Sequence, residues 1–248
     1  MESLRARSLT DEARKFEGPI VEFHVGHPGA SPTIFKVHWD IIVSSSMFFM
    51  KALQGKRSKA KRRVIRVPND DPEAIRLYLN WLYSGSIFSK TEDDGLEDDE
   101  GIQTEYSLLA KGIVLSNKFQ DVNFHDAIVD ALVDRAASKT TSKCVRPKGD
   151  VIWYIYDNTS PNAEIRQLLV KIYCISKLSR LPIKATEEEL STLPKEFLAS
   201  LALELFENMM YCDVCNKMDL GDTCEFHKHP SEDYERCQVR QQQRLLGL

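Results

Sequence analysis

The sequence predicts an α+β fold, in which a small β-sheet is flanked by a cluster of helices and followed by an α-helical extension. Two short segments, near residues 20 and 35, alternate apolar and polar side chains, which is the pattern of half-buried strands. Longer apolar segments beyond residue 70 repeat with the spacing of one helix face. With 248 residues, 42% of them hydrophobic, the chain can bury a core without disulfide bonds.

The predicted sheet consists of a hairpin and a third strand. Residues 20–26 and 33–38 alternate in polarity, and turn-forming residues fill the segment between them. These two segments therefore predict an antiparallel hairpin. Residues 64–67, with the sequence VIRV, are the third predicted strand.

Two helical segments are predicted in the first third of the chain. Residues 39–53 are apolar with helical spacing, and the serines at 44–46 predict a break into two short helices. The next helix has signals at both ends. Asp71 can cap it, Pro72 suits its first position, and Gly85 can end it in the left-handed conformation.

More helices are predicted in the rest of the chain. Residues 106–119 and 124–136 are expected to form an antiparallel pair, which follows an acidic loop over residues 92–100. Further helical segments, one of them small and marked by a capping-box pattern, are predicted over residues 151–156, 163–176, 186–189 and 194–210.

A change in composition after residue 136, toward Ser, Thr, Lys and Pro, predicts a domain boundary. We accordingly divide the chain into five segments. They are a disordered N-terminus (1–16), a folded domain (17–137), a linker (138–150), a helical extension (151–210) and a Cys/His-rich tail (211–248).

The order of these elements, together with several local phrases, resembles a BTB/POZ domain of the type common in fungal proteins. The phrases that carry the resemblance are FKVH at residues 35–38, SMFF at 46–49, WLYSG at 81–85 and DAI at 126–128. They follow one another in the order and spacing of that family and cover about half of the chain.

The resemblance implies a protein-interaction adaptor. Such a domain self-associates, docks to a cullin-type ubiquitin ligase scaffold, or does both, and the C-terminal region would then recruit a partner protein. The alternative that the resemblance implies is a nuclear, transcription-associated regulator that uses the domain for oligomerisation. Either way, the expected partners are proteins, in a homodimer or on a cullin scaffold.

The tail carries the sharpest chemical signal in the chain. Its spacing, Cys-x2-Cys-x8-Cys-x2-His, begins with the pair that lets a tight turn direct two thiolates to one metal ion. The candidate ligands are Cys212, Cys215, Cys224 and His227, with His229 and Cys237 as alternates. Four protein ligands leave no open position, so the pattern indicates one structural zinc ion. The alternative is a disordered tail with reduced cysteines.

Charge and hydropathy limit the compartment and the partners. The formal net charge of −4 provides no overall attraction to nucleic acids or membranes, and no segment approaches the roughly 18 continuous apolar residues of a membrane-spanning helix. The Arg-rich first 15 residues lack the apolar stretch of a secretory signal. We therefore expect an intracellular protein of the cytoplasm, the nucleus or both.

One basic segment departs from the overall acidity. Residues 56–63 carry six basic side chains in eight positions, which is typical of a nuclear localisation signal. A solvated loop between a helix and a strand explains the run equally well. Nucleic-acid binding is not expected, because no recognition helix adjoins the run.

Enzyme activity is not expected. The sequence contains no phosphate loop, dinucleotide fingerprint or nucleophile elbow. The carboxylates at residues 187–189 are explained as first-turn charges that the helix dipole favours. We therefore predict no catalytic residues and no cofactor-binding residues.

Overall fold

The structure is a computed structural model that describes residues 18–26, 31–54, 64–90, 99–138, 146–178, 187–209 and Lys228. The chain divides into two compact units. The first comprises residues 1–85 together with 119–121, and the second comprises residues 86–118 and 122–248.

The first unit contains a three-stranded sheet. Its strands are β1 (Ile20–Val25), β2 (Thr33–His38) and β3 (Val64–Val67), in the order β2-β1-β3. β1 is antiparallel to β2 and parallel to β3. The alternation of β1 buries Val21, Phe23 and Val25 completely, so one face of the sheet lies on the core. The predicted hairpin and the predicted third strand are confirmed.

Two short helices follow β2, as predicted from the run of serines. They are α1 (Trp39–Ser45) and α2 (Met47–Gln54). Ser46 separates them because its backbone is extended (φ −124°, ψ 119°), although its N–H still donates to the carbonyl of Ile42 at 3.2 Å. The break places the polar side chain of Ser46 inside the unit, where it is buried.

Helix α3 (Pro72–Ser84) has the ends that its sequence predicts. The Asp71 side chain accepts a hydrogen bond from the backbone N–H of Glu73 at 2.8 Å, and Pro72 takes the first position. At the other end Gly85 is left-handed (φ 73°), and its N–H donates to the carbonyl of Trp81. Glycine adopts this conformation without the steric cost that a β-carbon brings.

The second unit is helical in its described part. Its helices are α4 (Asp99–Phe119, whose last residue belongs to the first unit), α5 (Val122–Ala137), α6 (Gly149–Asn158), α7 (Glu164–Leu178), α8 (Glu187–Ser191) and α9 (Lys195–Met209). With the sheet of the first unit, these helices confirm the α+β class.

The acidic loop was predicted to run from residue 92 to residue 100, and its last two residues were wrong, because α4 begins at Asp99. Asp99 and Glu100 lie in its first turn, where the helix dipole favours negative charge. Ile102, one turn further on, is buried and extends the apolar face that the sequence pattern suggested only from residue 106. Residues 91–98 lie outside the described part of the chain.

Aromatic and cationic side chains organise the C-terminal helices. Phe197 of α9 packs edge-on against Tyr156 of α6 and Tyr173 of α7, with ring centroids 6.0 and 4.9 Å apart. Arg166 closes the end of α6, since its Nη2 donates to the carbonyls of Tyr156 and Thr159 at 2.6 and 2.5 Å. Its guanidinium also lies 4.3 Å from the ring centroid of Tyr156.

A buried ion pair lies between α4 and α5. Arg135 Nη1 is 3.2 Å from Glu105 Oε2, and both side chains are only 2% exposed. The other carboxylate oxygen of Glu105 accepts a hydrogen bond from Ser89 Oγ at 2.5 Å. Removing one partner of such a pair leaves an uncompensated buried charge, which strongly destabilises the folded state.

The predicted linker is bonded to α4. The side chain of Gln103 donates to the carbonyl of Arg146 and accepts from the N–H of Lys148, both at 2.9 Å. Burial raises the pKa of Tyr173 to about 12, and its hydroxyl donates to the carbonyl of Pro147 at 2.6 Å. In the described part of the chain, no helix has both the length and the apolarity needed to cross a membrane.

Truncation after Ala136 tests the proposed domain boundary. We expect the remaining chain to unfold cooperatively but with a lower midpoint than the full chain, because the Gln103 bonds to residues 146 and 148 are lost. Urea titration followed by circular dichroism measures both properties. A gradual, non-cooperative transition would contradict the boundary and make the extension part of the same core.

Candidate functional site

Residues 119–121 form the corner between α4 and α5, and their partners lie in the first unit. The fully buried ring of Phe119 has its centroid 4.6 Å from that of Phe49 and 5.2 Å from that of Tyr78. Phe23 contacts Phe49 and Phe119 edge-on, at 5.4 and 6.5 Å. Tilted and edge-on rings at these distances attract each other beyond the gain from buried area.

The carboxyl group of Asp121 is the polar centre of the same corner. Its Oδ2 accepts hydrogen bonds from Ser45 Oγ at 2.5 Å and from the Tyr78 hydroxyl at 3.0 Å. Asp121 is buried, and it directly precedes α5, whose N-terminus favours a negative charge. One acceptor thus holds a residue of α1 and a residue of α3.

Ser46 bonds to the backbone of this corner. Its Oγ donates to the carbonyl of Phe119 at 2.5 Å and accepts from the N–H of Phe49 at 3.3 Å. Between Phe119 and Asp121 the backbone of Gln120 is left-handed (φ 51°), a conformation that non-glycine residues adopt at a cost. The corner is therefore held through the main chain of Phe119 and the side chain of Asp121.

The environment of the Tyr78 hydroxyl matches its role as a donor. Burial, followed by the nearby Asp121 carboxylate, raises the pKa of Tyr78 well above its ordinary value. The phenol therefore keeps its proton over the whole physiological range and donates a hydrogen bond to Asp121. The contact is structural, because nothing in it requires the proton to move.

An apolar surface lies next to this corner, at the start of α2. Met47 is 49% exposed, and Phe48 is 36% exposed although its ring stacks on Phe119 with centroids 6.0 Å apart. The ring of Phe49 lies edge-on to that of Phe48 at 5.1 Å. Two large apolar side chains are thus presented to solvent from a rigid base, which is what a protein contact needs.

The outer face of the sheet is mixed in character. Ile20 and Ile34 are large exposed apolar residues, and between them Glu22 pairs with His24 at 3.1 Å and with Lys36 at 3.9 Å. In the described part of the chain, β2 pairs with β1 alone, so it forms an edge of the sheet. An edge strand of this kind can accept a further strand from a partner.

His38 and Tyr83 bond to each other at the start of α1. The Tyr83 hydroxyl accepts from the backbone N–H of His38 at 3.1 Å and lies 2.8 Å from its Nδ1. The ring centroids are 6.0 Å apart in an edge-on arrangement. The histidine is therefore engaged with a tyrosine of α3 through both its backbone and its ring.

The second unit exposes apolar side chains of its own. Leu203 and Phe206 of α9 are 64% and 69% exposed and stand three residues apart, on one face of the helix. Trp153 of α6 is partly exposed, while its indole N–H donates to the carbonyl of Thr192 at 2.6 Å.

The predicted metal ligands are not among the residues that the structure describes. Cys212, Cys215, Cys224 and His227 lie outside them, as do the alternates His229 and Cys237 and the basic run of residues 56–63. Within the described ranges, no group of three or more His, Cys, Asp or Glu side chains could hold a metal ion. The zinc site therefore stays a prediction.

Sequence reasoning did not identify Asp121 or the role of Ser45, which it contacts. The serines at 44–46 indicated only a break in a helix, and the partners of Asp121 lie 43 and 76 residues away along the chain. The one local signal was an aspartate three residues before the predicted start of the helix at residue 124, and an aspartate near a helix start also fits an ordinary cap.

Comparison with protein families gives one match. Residues 25–100 match the family model of the BTB/POZ domain. The matched region begins at the last residue of β1 and ends in the first turn of α4, so it includes β2, β3 and helices α1 to α3. No curated protein matches the chain.

Removing the Asp121 side chain tests the role of the corner. The Asp121→Ala variant should lose about 3 kcal/mol of unfolding free energy, because two hydroxyl donors lose their acceptor. Urea unfolding measures the change, with the exposed Asp157→Ala as a control that should stay within about 0.5 kcal/mol. A change in Asp121→Ala as small as the control's would contradict the assignment.

Proposed function

Because the chain contains a BTB/POZ domain, we propose that it acts as a protein-interaction adaptor and not as an enzyme. Domains of this family serve protein–protein interaction, and the family match over residues 25–100 is the observation that carries the proposal. The exposed Met47 and Phe48, of which Phe48 stacks on the buried Phe119, supply an apolar surface for a protein partner.

We further propose separate roles for the BTB/POZ domain and for residues 150–248. The BTB/POZ domain self-associates, docks to a cullin-type ubiquitin ligase scaffold, or does both, and residues 150–248 recruit the partner. Exposed Leu203 and Phe206 on α9 support the second role, because they offer an apolar helix face to a binding protein. A stable dimer or complex requires about 800 Å² of each partner's surface.

Light scattering on the size-exclusion peak of the full chain, with and without a cullin amino-terminal fragment, tests this proposal. We expect the mass of a homodimer, of a complex with the fragment, or of both. The double variant Met47→Ser/Phe48→Ser should lower the association, and Leu203→Ser/Phe206→Ser serves as the matched control in the extension. A monomer that does not bind the cullin fragment would contradict both self-association and docking to the scaffold.

A nuclear, transcription-associated regulator is the alternative, and the basic run of residues 56–63 favours it. In this alternative the BTB/POZ domain provides oligomerisation, and the basic run carries the chain from the cytoplasm into the nucleus. Protein partners would again be expected, since the acidic net charge of −4 does not favour nucleic acid.

Neutralising the basic run separates the two functions. Replacing its six Lys and Arg residues by Gln should abolish nuclear accumulation of a fluorescently tagged chain, because a localisation signal depends on these charges. The control replaces Lys139 and Lys143 by Gln and should leave the distribution unchanged. Nuclear accumulation that survives neutralisation of the run would contradict this alternative.

We also propose that the tail binds one structural zinc ion through Cys212, Cys215, Cys224 and His227. The support is the spacing, because two close pairs can supply the four N and S ligands of a tetrahedral site. Such a site would fold the tail locally without taking part in chemistry, since it has no open coordination position.

The metal content of the purified chain tests the ligand assignment. Cys212→Ser/Cys215→Ser should lose the bound zinc, because these two thiolates supply half of the proposed ligands. Cys144→Ser, which changes a cysteine outside the tail, should retain it. Mass spectrometry of the metal gives the ratio of zinc to protein. Stoichiometric zinc in the double variant would rule out this ligand set.

A further inference from the structure

One residue of the tail, Lys228, is bonded to the helix pair of the second unit. Its backbone N–H donates to Asp126 Oδ1 at 2.9 Å, and its ammonium Nζ donates to Asn117 Oδ1. Asn117 lies near the end of α4, and Asp126 lies in the second turn of α5. Both bonds join parts of the chain more than 100 residues apart.

These contacts differ from those of an ordinary surface lysine. The main chain and the side chain of one residue are engaged at once, each by a different helix. The Asp126 side chain is only 16% exposed, and its Oδ1 also lies 3.4 Å from Nδ1 of the buried His125. A mostly buried carboxylate that a neighbour already orients is a stronger acceptor than a mobile surface acid.

We infer that Asn117 and Asp126 form a docking site for the C-terminal tail of this chain, with Lys228 as its anchor. The Asp126 carboxylate accepts a backbone N–H, and the Asn117 carboxamide oxygen accepts from the ammonium group at the end of a long side chain. The occupant is thus a segment with a lysine at the docked position. Lys228 meets both requirements within the same polypeptide.

Docking has a consequence for partner recruitment. A segment attached to the same chain faces its site at an effective concentration that can reach the millimolar range, so weak contacts suffice to hold it. A partner that uses the surface of Asn117 and Asp126 must displace the tail first. The inference does not depend on the zinc proposal, because both bonds come from a residue that is not a candidate ligand.

Zero-length cross-linking tests the docking in the full chain. Asn117→Asp places a carboxylate beside the Lys228 ammonium, so a carbodiimide should join positions 117 and 228 within one chain. Asn123→Asp introduces the same group at an exposed position of α5 and is the matched control. Equal cross-linking of Lys228 to both positions, or none to position 117, would overturn the docking.

Amide hydrogen exchange provides a second readout. The Lys228 amide of the unaltered chain should exchange more slowly than in Asp126→Ala, by about tenfold, which is the effect expected when one hydrogen bond to a charged group is lost. Asp157→Ala should leave the rate unchanged, and the circular dichroism spectrum checks that both variants stay folded. Exchange that is equally fast in the unaltered chain would contradict the inference.

Discussion

The first unit depends on one buried acceptor, the carboxyl group of Asp121. A buried carboxyl is costly unless its environment satisfies it, and here hydroxyls from α1 and α3 do so. The position before α5 adds the favourable field of a helix N-terminus. Both donors belong to helices, Ser45 to α1 and Tyr78 to α3. Asp121 can therefore accept both hydrogen bonds only when α1 and α3 lie in this arrangement.

The apolar packing around residues 119–121 supports the exposed apolar surface at the start of α2. Phe119 fills the centre of an aromatic cluster, and the Ser46 hydroxyl bonds to its carbonyl. The helix that starts beside Ser46 then presents Met47 and Phe48 to solvent. An interaction surface built on such a base loses little conformational entropy on binding, which suits the adaptor role proposed for a BTB/POZ domain.

Features that depend on residues close in sequence were predicted well, and contacts between residues distant in sequence were not. The Asp71 cap, the left-handed Gly85 and the strand alternation all involve residues close in sequence, and each was predicted. The early start of α4 was missed because its acidic first turn resembles a loop by composition. The bonds of Asp121 and of Lys228 depend on partners that only the folded chain brings together.

A double-mutant cycle between Tyr78→Phe and Asp121→Ala tests the central claim most directly. If the buried hydrogen bond organises the unit, the two single variants together should lose about 1–2 kcal/mol more unfolding free energy than the double variant loses. The reason is that each single change leaves the other group without its hydrogen-bond partner. Strictly additive losses would contradict the account, since the two residues would then act independently.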